Sequence, residues 1–269
     1  MVSYAEILKR HTHAMEPMAT NVSPRLAKIS GIRAVLFDVY GTLLISASGD
    51  VGTVAAAPAQ AFADACAAVG LTLSIHGEEG AAALVESIQQ SHARSRAQGI
   101  EYPEVDIVAV WQETIARLAE VDVLNAAAGE IDCEQLAIEY EVRVNPVWPM
   151  PGAESCLAKL RAAQIPLGIV SNAQFFTPVT LTTLWDQSLE ELGFDDELCV
   201  WSFRHAQAKP GTFLFQRARD CLARRGIAPG EVLYIGNDML NDMLPASQSG
   251  FNTALFAGDA RSLRLREDD

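Results

Sequence analysis

Four separated stretches of this chain place reactive polar residues directly after apolar runs. Ala34-Val35-Leu36-Phe37 ends on Asp38 and continues as Val39-Tyr40-Gly41-Thr42-Leu43-Leu44. The run at 165–170 ends on Ser171-Asn172, and the run at 198–203 leads to Lys209-Pro210. The run at 232–235 passes through Gly236 to Asn237-Asp238, with Asn241 and Asp242 beyond. An aspartate held at the C-terminal end of a buried strand can act as a nucleophile or hold a metal. The plainer alternative is an Asp that only caps a turn. Company separates the two: in a parallel sheet these strand ends all point the same way, so four polar ends can converge on one crevice.

The elements needed to position them are legible as a rhythm. Apolar runs of strand length at 34–37, 165–170, 198–203, 232–235 and 253–256 alternate with helical periodicity at 153–163, 178–191, 212–225 and 241–248. Strands alternating with helices predict an α/β fold with a doubly wound parallel sheet. Between residues 46 and 145 the rhythm stops. Helical spacing covers 54–69, 78–98, 104–118 and 133–142, punctuated by Gly70, Gly99 and Gly129, and no strand is expected there. The expected organisation is a polar N-terminal extension over 1–30 with a short helix around Tyr4–Arg10, an α/β core formed by 31–45 and 146–269, and an inserted all-helical cap over 46–145.

Composition narrows the function. A chain of 269 residues, 49% apolar, is long enough for one large core with an inserted subdomain. Its net charge of −14 argues against nucleic acid or an anionic membrane as partner, but not against a small anionic substrate met by a local cation. Cys66, Cys133, Cys156, Cys199 and Cys221 are scattered and form no CxxC pair, the usage of a reducing cytoplasm rather than of a zinc site. His11 and His13 read as surface residues. Residues 1–30 hold no apolar segment of signal-peptide length, and Pro58, Gln60 and Asp64 interrupt the Ala-rich stretch after Val54. A cytoplasmic protein, monomer or homodimer, is expected.

The set Asp38-Val39-Tyr40-Gly41-Thr42, Val170-Ser171-Asn172, Lys209-Pro210 and Gly236-Asn237-Asp238-Met239-Leu240-Asn241-Asp242 resembles the haloacid dehalogenase-like (HAD) hydrolase superfamily. The resemblance runs from Ile32 to about Ala257 and leaves out the cap. It implies a Rossmann-like core and a hydrolase in which Asp38 attacks phosphorus, or a carbon bearing a leaving group, and becomes a covalent ester. Ser171 and Asn172 would bond the transferring group or orient Asp38. Lys209 would neutralise an anionic substrate and hold Asp38 ionised. Thr42 would offer a hydroxyl or merely start a helix. Asp238 and Asp242 stand four residues apart, so on a helix start they would share a face. Clustered carboxylates take up a proton or a cation, and oxygen ligands with room for water suit Mg²⁺. By resemblance, Asp38, the Tyr40 carbonyl and Asp238 would be ligands, with Asp242 assisting; Asn237 is the alternative to Asp238.

Tyr40 departs from the phosphatase pattern, which carries a second Asp there as general acid and base. Losing such a group typically costs about 10²–10⁴ in rate. An Asp-x-Tyr-Gly-Thr motif looks instead like the 2-haloacid dehalogenases, whose halide leaves without a proton and without a metal. Those enzymes need an early cap arginine, and here Arg94 and Arg96 are the first after motif one. The acidic pair Asp238 and Asp242 suits Mg²⁺. The expectation is therefore Mg²⁺-dependent hydrolysis of a small phosphorylated metabolite. The alternatives are a metal-free dehalogenase-type hydrolase and a catalytically weak ligand-binding member. Arg94, Arg96, Tyr102 and Trp111 are cap residues that would line a cleft, or else be core and solvated surface. The first βα turn lacks GxGxxG, which sets a nucleotide-cofactor protein aside.

Overall fold

The computed structural model describes residues 3–48, 59–73, 77–120, 124–126 and 131–266. In chain order it opens with helix α1 (Tyr4–His11), strands β1 (Ala34–Phe37) and β2 (Leu44–Ser46), helix α2 (Ala59–Ala68) and strand β3 (Leu71–Leu73). Helices α3 (Gly77–Ala97) and α4 (Ile107–Glu120), strand β4 (Leu124–Ala126) and helix α5 (Cys133–Val144) follow. Alternation then resumes with β5 (Val147–Pro149), α6 (Ala153–Ala162), β6 (Leu167–Ser171), α7 (Phe176–Trp185) and β7 (Phe194–Trp201). The chain closes with α8 (Phe213–Arg224), β8 (Val232–Gly236), a π-helical turn (Met239–Met243), α9 (Leu244–Gln248) and β9 (Asn252–Leu255). No described helix is long and apolar enough to cross a membrane.

Two compact units emerge, His13–Val51 with Val147–Asp269, and Met1–Thr12 with Gly52–Pro146. The first is the α/β unit. Its five-stranded sheet has the order β7-β6-β1-β8-β9, every pairing parallel. β1 lies at the centre, buried along its whole length, which is why it reads as an unbroken apolar run. Alternate residues of the strand feed opposite layers. Ala34 and Leu36 join Leu214, Phe215, Ala218 and Leu222 of α8. Val35 and Phe37 join Leu181 and Trp185 of α7. Phe37 is in register with Ile169 of β6 and Ile235 of β8. That register brings the ends of three strands level, so Asp38, Ser171 and Gly236 lie together along one edge of the sheet. β2 and β5 pair antiparallel, with Ser46 opposite Val147, so the point where the chain leaves this unit lies beside the point where it returns.

The second unit is mainly helical. Phe62, Trp111 and Tyr140 form an aromatic cluster at its centre, with Trp111 stacked on Phe62 at 5.4 Å. Two expectations are corrected here. The inserted segment is not all-helical, because Leu71–Leu73 pairs antiparallel with Leu124–Ala126; strands of three residues are too short to show alternation. Residues 1–30 hold the short helix expected around Tyr4–Arg10, but they are not one polar extension. Helix α1, closed by a capping box between Ser3 and Glu6, buries Ile7 and Leu8, and its Tyr4 hydroxyl donates to Glu134 of α5 at 2.6 Å. Residues beyond it belong to the α/β unit: Asp259 Oδ1 accepts from the Met18 N–H, and the Ala257 carbonyl from the Thr20 hydroxyl. His11 is half-buried rather than on the surface, 3.8 Å from Glu139. The start of the helix expected over 54–69 lies outside the described residues; α2 accounts for the rest.

Candidate active site

β1 delivers Asp38 and the following turn fixes it. The Asp38 N–H donates to the Ile235 carbonyl at 2.8 Å, continuing the sheet by one residue. The chain then folds tightly: the N–H groups of Thr42, Leu43 and Leu44 all donate to the Val39 carbonyl. Gly41 makes this possible. Its φ is +84°, and a Cβ there would lie 2.5 Å from the Ser262 Cβ and 2.7 Å from the Asn237 amide nitrogen.

Lys209 is the electrostatic centre. Its buried ammonium donates to Asp38 Oδ1 at 2.8 Å and Asp242 Oδ1 at 2.6 Å. It also lies 3.3 Å from the Tyr234 hydroxyl, which is 2.9 Å from both Asp242 Oδ1 and the Val170 carbonyl. The other Asp242 oxygen accepts from the backbone N–H groups of Asn237 and Asp238 at 2.9 and 3.0 Å. Gly236 admits this carboxylate, since a Cβ there would stand 2.5 Å from it. Burial opposes the charge on Lys209, but the carboxylates of Asp242 and Asp38 outweigh it and hold the ammonium protonated far into alkali. Burial also pushes the Asp38 carboxyl up to about 6; the Lys209 charge partly offsets this, Asp242 adds to it, and hydrogen bonds from Lys209 and Ser171 pull the other way. At neutral pH Asp38 is therefore ionised, buried and adjacent to a fixed cation.

The Ser171 hydroxyl donates to the Asn172 carbonyl at 3.2 Å and lies close enough to Asp38 to help draw its carboxyl down. Asn172 does something different. Its amide oxygen accepts from the Lys209 N–H at 2.7 Å and its amide nitrogen donates to the Lys209 carbonyl at 3.2 Å, so it clamps the lysine's backbone. The Thr42 hydroxyl donates to the Asn237 side-chain oxygen at 3.0 Å, stitching the nucleophile turn to the end of β8. The Tyr40 hydroxyl shares a 2.9 Å hydrogen bond with Thr177, inside the core.

Asp238 and Asp242 of the expected metal set, and Asn237 as its alternative, are engaged by other partners. Asp238 faces Arg266, whose Nη2 lies 2.7 Å from Oδ2 and whose Nε lies 3.2 Å from Oδ1. Its carboxylate also caps the π-helical turn, accepting from the N–H groups of Leu240 and Asn241. Burial raises the Asp238 carboxyl, but the Arg266 hydrogen bond and the two backbone donors win and hold it below the ordinary range. Asn237, the alternative ligand, spends its amide on Thr42 and on the Ser262 carbonyl. Asp242 is committed to Lys209, Tyr234 and two backbone donors. Among the described residues, no three His, Cys, Asp or Glu side chains are grouped to hold a metal ion. Mg²⁺ wants carboxylate oxygens free to coordinate it, so this donor set does not fit that ion.

Sequence reading missed Tyr234, Thr177, Ser262 and Arg266. Tyr234 carried a signal: a phenol inside a buried strand must find a polar partner. Arg266 carried none, lying 28 residues beyond Asp238 and past the last strand. In the helical unit, Trp111 is fully buried core, Arg94 is paired with Glu113 at the surface, and Tyr102 is exposed.

A model of the haloacid dehalogenase-like hydrolase family matches residues 32–250. Among solved structures, the chain is similar to an HAD phosphatase from Thermococcus onnurineus, with 18% identity, TM-score 0.51, and 85% of this chain and 88% of that chain covered. It is similar in the same way to a defluorinating L-2-haloacid dehalogenase, with 20% identity, TM-score 0.50, and coverage of 88% and 86%. An L-2-haloacid dehalogenase from Xanthobacter autotrophicus matches at 25% identity, TM-score 0.45, with coverage of 84% and 78%. No curated protein matches.

Proposed function

This chain belongs to the haloacid dehalogenase-like hydrolases, and on that premise we propose that Asp38 attacks a small anionic substrate whose leaving group departs without needing a proton. The carrying observation is Tyr40. In this position an acid would protonate the leaving group, but the phenol is in the core, hydrogen-bonded to Thr177 at 2.9 Å. Phenols ionise only near pH 10, too high for efficient proton transfer at neutrality. The reading that best suits this arrangement is displacement at a carbon bearing a halide, as in a 2-halo acid. An Asp38 oxygen forms the new C–O bond while the C–X electron pair leaves with the halide. Water then cleaves the ester, restoring the Asp38 carboxylate and releasing a 2-hydroxy acid and a proton. Lys209 keeps Asp38 ionised and fixed, and Ser171 orients it. The engaged carboxylates of Asp238 and Asp242 favour this metal-free route.

A second reading is hydrolysis of a small phosphate ester with a good leaving group. One observation favours it. A halo acid's carboxylate wants an arginine, and Arg94 and Arg117 already pair with Glu113 and Glu86. Mg²⁺ would supply charge neutralisation in such a reaction, but the donor set does not fit it. In either reading the net charge of −14 suits a cytoplasmic enzyme of small metabolites rather than of nucleic acids or membranes.

Halide release from 2-chloropropionate and phosphate release from an aryl phosphate, each with and without Mg²⁺, separate the readings. Metal-independent halide release that disappears in Asp38→Asn supports the first. Phosphate release that requires Mg²⁺, with no halide release, replaces it with the second. Silence in every arm would point to a ligand-binding member.

A further inference from the structure

We infer that Arg266 is the built-in counter-charge of Asp238 and shuts divalent cations out of this site. The guanidinium addresses both carboxylate oxygens, at 2.7 and 3.2 Å, the geometry in which arginine pairs most strongly with a carboxylate. The Asp238 side chain is 7% exposed and that of Arg266 31%, so the pair is largely shielded from water. The backbone holds it in place. Asp238 and Arg264 form a parallel bridge, in which the Met239 N–H donates to the Arg264 carbonyl and the Arg264 N–H to the Asn237 carbonyl. Arg266 itself has φ +54°, a conformation that non-glycine residues rarely adopt. The segment after β9 is thus bent so that this side chain reaches back to the turn after β8.

The chemistry of exclusion follows. A cation binding at Asp238 would have to displace a forked ion pair and two backbone N–H donors. Lys209 performs the matching task at Asp38 and Asp242. Each of the three carboxylates therefore has an organic cation in contact, and Arg266 supplies the one that the strand-end residues lack. This inference rests on the placement of the site and not on which leaving group Asp38 expels.

Mn²⁺ is the probe, titrated against the full chain and followed by electron paramagnetic resonance of the free ion. The wild type is expected to show no saturable binding that depends on Asp238, so Asp238→Asn leaves its titration unchanged. Arg266→Met, with its folding checked by circular dichroism, is expected to bind Mn²⁺ at least tenfold more tightly than the wild type. Adding Asp238→Asn to that variant should abolish the gain. A wild-type Mn²⁺ site lost in Asp238→Asn would overturn the inference, whether or not Arg266→Met folds. So would a folded Arg266→Met that gains no affinity. Turnover does not enter these readouts, so absence of halide release leaves them intact, whereas phosphate release that requires Mg²⁺ would overturn this inference as well.

Discussion

Asp38 and Asp242 share one ammonium group, that of Lys209, at 2.8 and 2.6 Å. Two like charges on neighbouring strand ends would repel each other in a buried site, and the lysine between them converts that repulsion into a bridge. Asn172 holds the lysine's backbone from behind, so the bridge is fixed at both ends.

Removing the bridge should be costly. Lys209→Met leaves two buried carboxylates without a cation, and breaking a buried pair costs about 3–5 kcal/mol. Urea unfolding should show a loss of this size. Adding Asp242→Asn should recover part of it, because one of the stranded charges is then gone. A double variant no more stable than Lys209→Met would mean the two residues are not coupled.

The rate should follow the ionisation of Asp38. Only the carboxylate attacks, and its pKa stands at about 6, so kcat/KM should rise with pH through about 6 and level off above it. The linked effect on stability has the opposite sense. Between the ordinary value of 3.8 and about 6 the folded protein holds a proton that the unfolded chain has released. Asp38 thus stabilises less as pH rises across that window, and Asp38→Asn should remove this dependence. A kcat/KM profile flat from pH 5 to 8 would contradict the assignment.

Tyr40→Phe tests whether the phenol takes part in proton transfer. The variant loses the Thr177 hydrogen bond, worth about 0.5–1.5 kcal/mol. Its kcat should stay within about threefold of wild type, far less than the 10²–10⁴ of a lost general acid. A fall of that larger size would show that the phenol moves a proton.

Gly41→Ala should damage stability and rate together. At φ +84° an alanine is strained, by about 1–3 kcal/mol. Its methyl would also press on Ser262 and Asn237, which brace the turn that carries Asp38. Thermal unfolding and kcat measured on one preparation should both fall; an unchanged kcat would show that the nucleophile does not depend on this close approach.

The parallel sheet was legible because its central strand is buried on both faces and cannot be other than a continuous apolar run. Asp38, Ser171, Lys209 and Asp242 could be picked out because each follows such a run, and parallel strand ends meet. The orientation of Asp238 was not legible. It depends on a residue pairing with it from beyond the last strand, and on a turn whose hydrogen-bond spacing is not encoded in residue type. Asn172 was placed beside its neighbours and expected to bond the transferring group or orient Asp38, whereas it clamps the Lys209 backbone; a polar residue at a strand end has the same spelling in each use. The β3–β4 pair and the docking of α1 on α5 escaped for a related reason. Both are contacts between short segments far apart in sequence, with no period long enough to announce them.

The turn at Met239–Met243 contains a bond from the Met243 N–H to the Asp238 carbonyl, five residues apart, alongside the usual four-residue bond from Asp242. A coil that wide stores one residue more than an α-turn. Both of its ends are pinned independently, Asp238 by Arg266 and the Arg264 bridge, and Asp242 by Lys209 and Tyr234. Pinned at both ends, the wide turn sets the spacing between Asp238 and Asp242, so the charges around the nucleophile keep their separations.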